Sequence, residues 1–541
     1  MQSSWSSNKG TFCPLAACPR VIVSSAQPWW HAATIYQIYP RSFADSDGDG
    51  IGDLRGIADR LDHLVTLGVD ALWISPIFPS PMADFGYDVA DYTCIDPRFG
   101  TLADFDALLA KAHGLGLRVL LDFVPNHSSD QHRWFVESRS SRDNPKRHWY
   151  IWRDPAPDGG PPNNWISDFG GPAWTFDPAT GQYYSRAFLP EQPDLNWRNP
   201  DLRAAMLDAM RFWFERGVDG FRIDVLWHMV KHADFPDNPP NPDYRNGMGE
   251  MHRVLQLHST DQPEVHAIAA DMRELADRYD AVLVGEIYLP VPKLMTYYGS
   301  AAAPEVHLPF NFQLIEAGWN AAELADRITE YESALPADGW PNWVLGNHDR
   351  PRIATRVGAA QARVAAVLLL TLRGTPTLYQ GDELGLPDAQ VPADKVQDPR
   401  ELREPGLGLG RDPVRTPLPW TGEGGFTTGE PWLPIDPAHL PLNVSAQSAD
   451  PQSMLTLYRR LLALRRATPA LATGTIGDVR AEGDVLTYVR SDGTYRYRIA
   501  LNLGHTSAAI DLEPGTVLLS THDTATAATL RPDEALILKV D

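Results

Sequence analysis

Three carboxylates stand where short apolar segments of the sequence end. Asp224 follows Phe221-Arg-Ile, Glu286 follows Val282-Leu-Val-Gly, and Asp349 follows Val344-Leu-Gly-Asn-His. Two neighbouring carboxylates can divide the work on a glycosidic bond, because one protonates the departing oxygen and the other meets the carbon that gains positive charge. These residue types therefore predict acid–base and nucleophilic chemistry at a set of strand ends.

The surrounding pattern predicts the elements that position these carboxylates. Apolar strands are predicted at 34–39, 69–74, 118–124, 218–224, 281–287, 306–312, 342–346 and 375–380. Their alternation with helices indicates a parallel α/β sheet, and eight such units indicate a (β/α)8 TIM barrel. The active face of that barrel lies at the C-terminal strand ends, where the three carboxylates fall. Separate roles as helix caps or ion-pair partners are the alternative, which Arg222 and His348 beside them disfavour.

Two further regions depart from the barrel pattern. Residues 127–196 are rich in Gly, Pro, Asn and Trp and predict an irregular domain inserted after strand 3. From residue 471 onward, short strands split by turns predict an antiparallel β-sandwich domain. The predicted division is an N-terminal tail at 1–27, a barrel at 28–126 and 197–470, an inserted domain B at 127–196, and a C-terminal β domain at 471–541.

Five short motifs carry a family resemblance. Asp122-Phe-Val-Pro-Asn-His127, Phe221-Arg-Ile-Asp224, Gly285-Glu286 and Asn347-His-Asp349 resemble the signature regions of the α-amylase superfamily of glycoside hydrolases. Gln192-Pro-Asp-Leu-Asn196 resembles a signature of its α-glucosidase and oligo-1,6-glucosidase branch. The resemblance implies a retaining, exo-acting α-glucosidase that cleaves short maltose-type glucosides and transfers glucosyl groups to alcohol acceptors.

The resemblance also implies roles for the three carboxylates. Asp224 is expected to form a covalent glucosyl intermediate, Glu286 to act as acid and base, and Asp349 to bind ring hydroxyls of the sugar. Arg222 lies two residues before Asp224 and is expected to favour its anion, because a nearby positive charge stabilises a carboxylate. Asp122 is expected to support Arg222.

Nine positions match residues that bind the sugar in the resembled branch: Asp84, Tyr87, His127, Phe169, Phe188, Gln192, Arg222, His348 and Arg415. Asp84 is expected to hold the outer hydroxyls and Tyr87 to stack on the sugar, with ordinary loop packing as the alternative for Tyr87. Arg415 lies in a loop that is expected to reach back into the pocket.

The loop after the first strand concentrates acidic residues. Asp45, Asp47, Asp49 and Asp53 take positions 1, 3, 5 and 9 of a run with glycine at position 6, the spacing of an EF-hand loop. Position 12 is Gly56, so the closing glutamate of an EF-hand is absent. A structural Ca²⁺ or Mg²⁺ is predicted, as in the resembled branch, and a solvated acidic turn is the alternative. The candidate ligands are Asp45, Asp47, Asp49, Ile51 and Asp53.

Composition narrows the partners. The 47 Lys and Arg against 69 Asp and Glu give a net charge of −22, which disfavours nucleic acid and anionic membranes and is compatible with a small neutral glucoside. The three cysteines, Cys13, Cys18 and Cys94, argue against a disulfide framework, although Cys13 and Cys18 could pair. The apolar run 364–372 is shorter than a membrane span of roughly 20 residues. With no recognised secretory signal, we expect a cytoplasmic monomer or homodimer without an organic cofactor.

Several alternatives stay open at this point. An oligo-1,6-glucosidase or a sucrose-active glucosyltransferase or isomerase shares the motifs, because water and alcohols can use the same covalent intermediate. A non-catalytic, transporter-associated ectodomain is disfavoured, since such relatives lose catalytic carboxylates. Val225 accompanies α-1,6 activity in the resembled branch, whereas the segment 226–243 resembles maltose-type enzymes. We therefore expect cleavage of α-1,4 bonds with tolerance of α-1,6 bonds.

Overall fold

The computed structural model describes residues 27–522 and 529–541. The predicted tail, including Cys13 and Cys18, lies outside these ranges except for Gln27. Cys94 is a partly buried free thiol.

A closed parallel sheet forms the centre of the molecule. Its strands are β1 Ile35–Ile38, β2 Ala71–Ile74, β3 Arg118–Phe123, β4 Gly220–Ile223, β5 Val282–Glu286, β6 Leu308–Asn311, β7 Asn342–Trp343 and β8 Thr377–Tyr379. They pair in the order β7, β6, β5, β4, β3, β2, β1, β8. A parallel bridge between Val344 and Thr377 joins the two edges, so the predicted TIM barrel is confirmed. The strands are shorter than predicted, because the ends of the predicted segments turn into loops.

Helices connect the strands and cover the barrel. The longer ones are Leu102–Gly114, Arg133–Ser140, Pro200–Glu215, Glu264–Asp277, Ala321–Ala334, Ile353–Thr371 and Met454–Ala467. Shorter helices are Leu54–Asp59, Leu61–Leu67, Val291–Leu294, Gln313–Glu316, Pro399–Arg403, Asp412–Arg415, Val444–Ala449 and Pro469–Ala472. The helix that leads to the Asp224 strand starts at Pro200, where the Asn199 side chain accepts the N–H groups of Asp201 and Leu202.

Side chains on the two faces of the strands enter different cores. Trp73, Leu120, Val282 and Phe310 belong to a cluster inside the barrel, and the opposite faces pack against the helices. At Gly220, an added Cβ would lie 2.3 Å from the Val282 carbonyl oxygen, so only glycine allows β4 and β5 to approach this closely. The strand that ends at Asp224 is fixed by this packing.

Within the described ranges, helix Ile353–Thr371 is long and apolar enough to cross a membrane, by length and composition alone. Gly358 interrupts it with φ 82° and ψ 159°, so its continuous part is shorter. That part packs against Met454–Ala467 and the C-terminal sheet. Its apolar residues are therefore those of a helix in the protein core.

The inserted segment carries a small sheet of its own. Its strands are Trp152–Arg153, Gln182–Ser185 and Trp174–Asp177, in that order across the sheet. Ile151, Trp165, Ala173 and Trp174 form a separate buried cluster here. The antiparallel bridge between His127 and Asp194 joins the two ends of the segment near the barrel, so this segment can form one wall of a cavity there.

The C-terminal segment is an antiparallel β structure, as predicted. Five strands lie in the order Thr475–Glu482, Val485–Ser491, Arg496–Asn502, Ala535–Val540 and Gly515–Ser520. One face of this sheet joins the main core through Leu486 and Ile499. Its other face packs under Leu530, which belongs to the small second sheet Ala508–Ala509 and Thr529–Leu530. The arrangement is a sandwich docked on the barrel helices, remote from the strand ends that carry the carboxylates.

Candidate active site

A cavity of ≈ 540 Å³ opens at the C-terminal ends of the barrel strands. It is lined by nine of the twelve predicted catalytic and sugar-binding residues: Asp84, Tyr87, His127, Phe169, Phe188, Asp224, Glu286, His348 and Asp349. The other three, Gln192, Arg222 and Arg415, are buried behind this lining. Residues far apart in sequence thus meet because each follows a barrel strand or belongs to the inserted segment.

Arg222 forms the floor of the carboxylate cluster. One terminal nitrogen donates to Asp224 Oδ1 at 2.6 Å and to Asp122 Oδ1 at 3.0 Å. The other lies 2.7 Å from Glu286 Oε2. Arg222 therefore holds both candidate catalytic carboxyls, with Asp122 as a third buried anion, and it contacts no open part of the cavity. The sugar-binding role predicted for Arg222 is better described as positioning.

Burial sets the proton affinity of the catalytic pair. Burial raises the pKa of Asp224 well above its usual value, against the opposite effect of Arg222 and with a further increase from Glu286. Burial also raises the pKa of Glu286, and Asp349 adds to this increase. Both carboxyls bond to the same Arg222 guanidinium, so protonation of one changes the proton affinity of the other. Arg222 alone does not single out the Asp224 anion, as the sequence suggested, because it binds both groups.

The backbone at Val225 distinguishes the two carboxyls, because its N–H bonds to Glu286 and not to Asp224. Val225 has φ 36° and ψ 48°, a left-handed conformation that is unfavourable for a β-branched residue. In this conformation its N–H donates to Glu286 Oε2 at 2.9 Å. Its side chain lines the cavity beside Asp224. A strained turn after β4 thus fixes one oxygen of Glu286 and leaves the other for a bound sugar.

Asp349 is held by arginines of the segment after β8. Arg415 donates to Asp349 Oδ1 at 2.6 Å and to the His348 carbonyl oxygen at 2.9 Å. Burial by itself raises the pKa of Asp349, but His348, Arg415 and Arg411 outweigh burial and lower the pKa below its usual range. Asp349 is therefore ionised and fit to accept hydrogen bonds from sugar hydroxyls.

Of Arg411 and Arg415, which lie four residues apart, only one lines the cavity. Arg415 is fully buried behind Asp349, whereas Arg411 lines the cavity. Arg411 donates to Asp84 Oδ1 at 2.7 Å and lies 2.7 Å from Asp398 Oδ1. Arg411 caps the short helix Asp412–Arg415 and Arg415 ends it, and only tertiary packing decides which of them faces the cavity.

Asp84 and its partners close the inner end of the cavity. Gln192 donates to Asp84 Oδ2 at 3.3 Å, and its amide nitrogen lies 3.1 Å from His127 Nε2. Burial raises the pKa of Asp84, with Arg411 acting in the opposite direction. Asp398, which no sequence motif indicated, anchors Arg411 from behind. This buried ion-pair network forms part of the cavity wall.

Two aromatic rings, each packed against a histidine, line the part of the cavity that can hold a sugar ring. Tyr87 stacks on His348 with centroids 5.3 Å apart, and their polar atoms lie 2.7 Å apart. Gln37 Nε2 lies 2.7 Å from His348 Nδ1 on the other edge of the ring. On the opposite side, Phe188 packs against His127 with centroids 5.1 Å apart. These flat apolar faces can stack on a sugar ring.

The outer part of the cavity was not predicted from the sequence. Its lining includes Trp227, Asn241, Met251, His252, Val254, Leu255, Gln256, Tyr288, Glu316, Arg350 and Arg400. Many of these lie in the segment 241–256, which follows β4 without a regular pattern of charge or hydrophobicity. Only the fold brings that segment over the strand ends.

Three of the five predicted metal ligands lie together in the loop after β1. Asp45, Asp47 and Asp49 each place one carboxylate oxygen within 4.8 Å of the others. Asp53 instead caps the next helix, where its side chain accepts the Gly56 N–H at 2.7 Å. Its second oxygen accepts the N–H of Ser46, so its carboxylate is already occupied. Oxygen ligands of this kind fit a hard cation such as Ca²⁺ or Mg²⁺.

Comparison with known proteins identifies relatives along most of the chain. Residues 37–474 match the family described as "Alpha amylase, catalytic domain". A "Probable alpha-glucosidase" of Rhizobium meliloti (strain 1021) is 44% identical over 90% of this chain and 91% of its own. An "Oligo-1,6-glucosidase" of Heyndrickxia coagulans is 38% identical over 94% and 99%.

Solved structures agree with these relatives. The alpha-glucosyl transfer enzyme XgtA superposes with a TM-score of 0.90 and 42% identity, covering 95% of this chain and 100% of that one. The trehalulose synthase MutB of Pseudomonas mesoacidophila MX-45 superposes with a TM-score of 0.88 and 36% identity, with the same coverage of both chains.

Proposed function

The chain belongs to the α-amylase family of glycoside hydrolases, and we propose that it is a retaining, exo-acting α-glucosidase. The observation that carries this function is the pair Asp224 and Glu286, held by Arg222 at the floor of a cavity that ends at the Asp84–Arg411 ion pair. Both carboxyls are bound by one Arg222 guanidinium, at 2.6 Å and 2.7 Å, which holds them side by side. Retaining enzymes keep their two carboxyls about 5–5.5 Å apart, whereas inverting enzymes leave roughly 6.5–9.5 Å for a water.

The first step transfers the glucosyl group to the protein. Asp224 attacks C1 of the bound glucoside, and Glu286 gives its proton to the departing glycosidic oxygen. Glu286 holds the proton in this step, because Asp224 needs a free electron pair to form the bond to C1. Asp349 accepts hydrogen bonds from ring hydroxyls, and these contacts strengthen as the ring flattens.

The second step releases the glucosyl group. An acceptor hydroxyl gives its proton to Glu286 and attacks C1, and the electron pair of the C1–Asp224 bond returns to the carboxylate. Water as acceptor gives glucose, and an alcohol gives a new α-glucoside. Transfer to alcohols is supported by the open outer cavity beyond Glu286 and by the similarity to an alpha-glucosyl transfer enzyme.

Removal of one terminal glucosyl unit at a time follows from the ion pair at the end of the cavity. Asp84 and Arg411 are buried and joined at 2.7 Å, with Asp398 behind Arg411. A longer chain on the non-reducing side would have to break this buried ion-pair network, which is costly because the charges would lose their partners. Short α-glucosides that end in the cavity are the expected substrates.

Val225 bears on which glycosidic linkages the protein cleaves. We propose that α-1,4 bonds are cleaved and α-1,6 bonds are tolerated, because Val225 presents an apolar branched surface beside Asp224. Relatives carry the names alpha-glucosidase and oligo-1,6-glucosidase, and the MutB structure belongs to a trehalulose synthase. A sucrose-active isomerase is the alternative within the same family.

We also propose that the loop of Asp45, Asp47 and Asp49 binds Ca²⁺ or Mg²⁺ in a structural role. The loop also contacts the segment after β8, since Thr427 donates to Asp45 Oδ2. A cation there would join two segments that flank the active face.

Hydrolysis of p-nitrophenyl α-glucoside tests the proposed function directly. We expect release of p-nitrophenol, with α-glucose as the first product in a proton NMR time course. Initial formation of β-glucose would exclude a retaining mechanism. Absence of p-nitrophenol release, and of activity on maltose, isomaltose and sucrose, would favour the non-catalytic alternative.

A further inference from the structure

A second, smaller cavity lies behind the wall of the active-site cavity. Its volume of ≈ 10 Å³, measured as the space open to the centre of a water molecule, is enough for about one water. It is lined by residues of the inserted segment and of the chain after β4: Trp165, Ile166, Asp168, Ala173, Ser185, Ala187, Asp194, His228, Lys231, Gln256 and Ser259. The size and the polar lining are those of a buried water site.

His228 leaves a polar atom unpartnered at this cavity. Its side chain is 2% exposed, and Nε2 has no hydrogen-bond partner among the described residues. The ring is held on other sides by Phe188 and Trp227, with centroids 5.6 Å and 4.7 Å away. Burial lowers the pKa of His228 well below its usual value, so the ring is neutral and Nε2 can serve one hydrogen bond. A buried nitrogen without a partner is costly, which points to a bound ligand.

The distance across the cavity fits a bridging molecule. His228 Nε2 lies 3.7 Å from Asp168 Oδ2, too far for a direct hydrogen bond. Asp168 Oδ1 already accepts a hydrogen bond from Gln256 at 2.7 Å, so Oδ2 is the oxygen that faces His228. A water can bond to both groups at once, and Lys231 and Asp194 supply further polar partners in the lining.

The two cavities share part of their walls. Asp168 and Gln256 line both of them. The larger cavity is also lined by Met251, Val254 and Leu255, whose side chains offer no strong hydrogen bond to a water. The side chain of Asp168 therefore joins the small cavity to the active-site cavity.

We propose that the small cavity binds one water through His228 and Asp168 and supplies it for hydrolysis of the glucosyl intermediate. This inference rests on the proposed α-glucosidase function. In the step concerned, the water oxygen bonds to C1 and one water proton passes to Glu286. The bond from C1 to the Asp224 oxygen breaks, and its electron pair returns to Asp224. His228 and Asp168 are positioning residues, which raise the share of hydrolysis over transfer.

Three variants separate the water from a general structural role. Ala173→Val fills the cavity while every polar group is kept, and His228→Leu removes the unpartnered nitrogen. His228→Gln retains a polar group that can reach the cavity. Ala179→Val is the matched control, because Ala179 is exposed on the turn after strand Trp174–Asp177 and lines neither cavity.

The experiment measures p-nitrophenol and free glucose from p-nitrophenyl α-glucoside in a fixed concentration of glycerol. p-Nitrophenol counts all turnovers, and free glucose counts hydrolysis alone. We expect the hydrolysed fraction to fall on the order of threefold in Ala173→Val and His228→Leu, the scale of one lost water-mediated contact. It should recover in His228→Gln and stay unchanged in Ala179→Val.

High-resolution crystal structures of the wild type and Ala173→Val provide the second readout. We expect an ordered water between His228 and Asp168 in the wild type and its loss in Ala173→Val. A dry cavity in the wild type, or an unchanged hydrolysed fraction once the water is displaced, would overturn the inference. A wild type that releases no p-nitrophenol would overturn the proposed function itself, and the crystal structure would still decide whether the cavity binds water.

Discussion

Two clusters of aspartates and glutamates lie at the active face of this barrel, and they differ in what surrounds them. The catalytic cluster of Asp122, Asp224 and Glu286 is buried and organised by Arg222. The acidic loop of Asp45, Asp47 and Asp49 is mostly exposed, and none of its three carboxylates forms an ion pair in the described part of the chain. Its carboxylates accept backbone N–H groups of the same loop instead.

The source of positive charge decides whether a group of carboxylates is suited to catalysis or to binding a cation. Where a buried arginine supplies the positive charge, proton affinities are tuned and chemistry becomes possible. Where the chain supplies none, the mutual repulsion of the carboxylates is best relieved by a cation from solution. Burial raises the pKa of Asp49, and its acidic neighbours add to that increase. At Asp45, hydrogen bonds from Thr427 and from N–H groups of the loop outweigh burial and lower the pKa.

The largest effect should come from the catalytic cluster. We expect Asp224→Asn and Glu286→Gln each to lower kcat on maltose by about 10⁴-fold or more, because each removes a group that acts in a bond-making step. Circular dichroism and the melting temperature should stay close to those of the wild type. Near-normal turnover in either variant would mean that the role given to that residue is wrong.

Removal of a buried arginine tests whether buried carboxylates depend on their counter-charge. Arg411→Leu leaves Asp84 and Asp398 buried without their partner, so we expect the free energy of unfolding to fall by about 3–5 kcal/mol, together with a higher KM. Urea unfolding and maltose kinetics measure the two effects. The control is Arg278→Leu, which breaks an exposed ion pair with Glu274 and should cost less than about 1 kcal/mol. Equal losses in both variants would contradict the assigned importance of burial.

The acidic loop should respond to metal and not to the loss of a partner arginine. We expect a chelator to lower the melting temperature by a few degrees, because a cation that binds only the folded protein stabilises it. Asp49→Asn should abolish that response.

Asp53→Asn is the informative companion variant, because asparagine can still cap the helix in place of Asp53. Since the Asp53 carboxylate is occupied by Ser46 and Gly56, we expect this variant to keep its response to the chelator. Loss of the response in Asp53→Asn, or a wild-type melting curve unaffected by chelator and added Ca²⁺, would contradict the proposed site.

The smallest effect concerns Val225, which borders the catalytic cluster without carrying charge. Val225→Thr keeps the branched shape and the backbone conformation, so it changes only a methyl group to a hydroxyl. We expect the ratio of kcat/KM for maltose and isomaltose to shift by up to about tenfold, since one apolar contact contributes about 1–3 kcal/mol to discrimination. An unchanged ratio would exclude Val225 as a determinant of linkage.

Sequence was sufficient where a function depends on residues at the ends of regular strands. Asp224, Glu286 and Asp349 follow apolar strands of the barrel, and the eight predicted strands all occur. The same reasoning did not place Arg415 behind Asp349 and did not indicate Asp398, because both lie in the irregular segment after β8. No periodicity there indicates which side chain faces the cavity.

The sequence by itself determined the barrel, the order of its parts and the family, because strand and helix periodicities and short motifs are local properties of the chain. Only the tertiary structure decided that Arg411 faces the cavity, that Asp53 caps a helix, and that His228 borders a second cavity. Each of these depends on contacts between segments distant in sequence. Such contacts are set by packing and by the pairing of buried charges, which local patterns do not record.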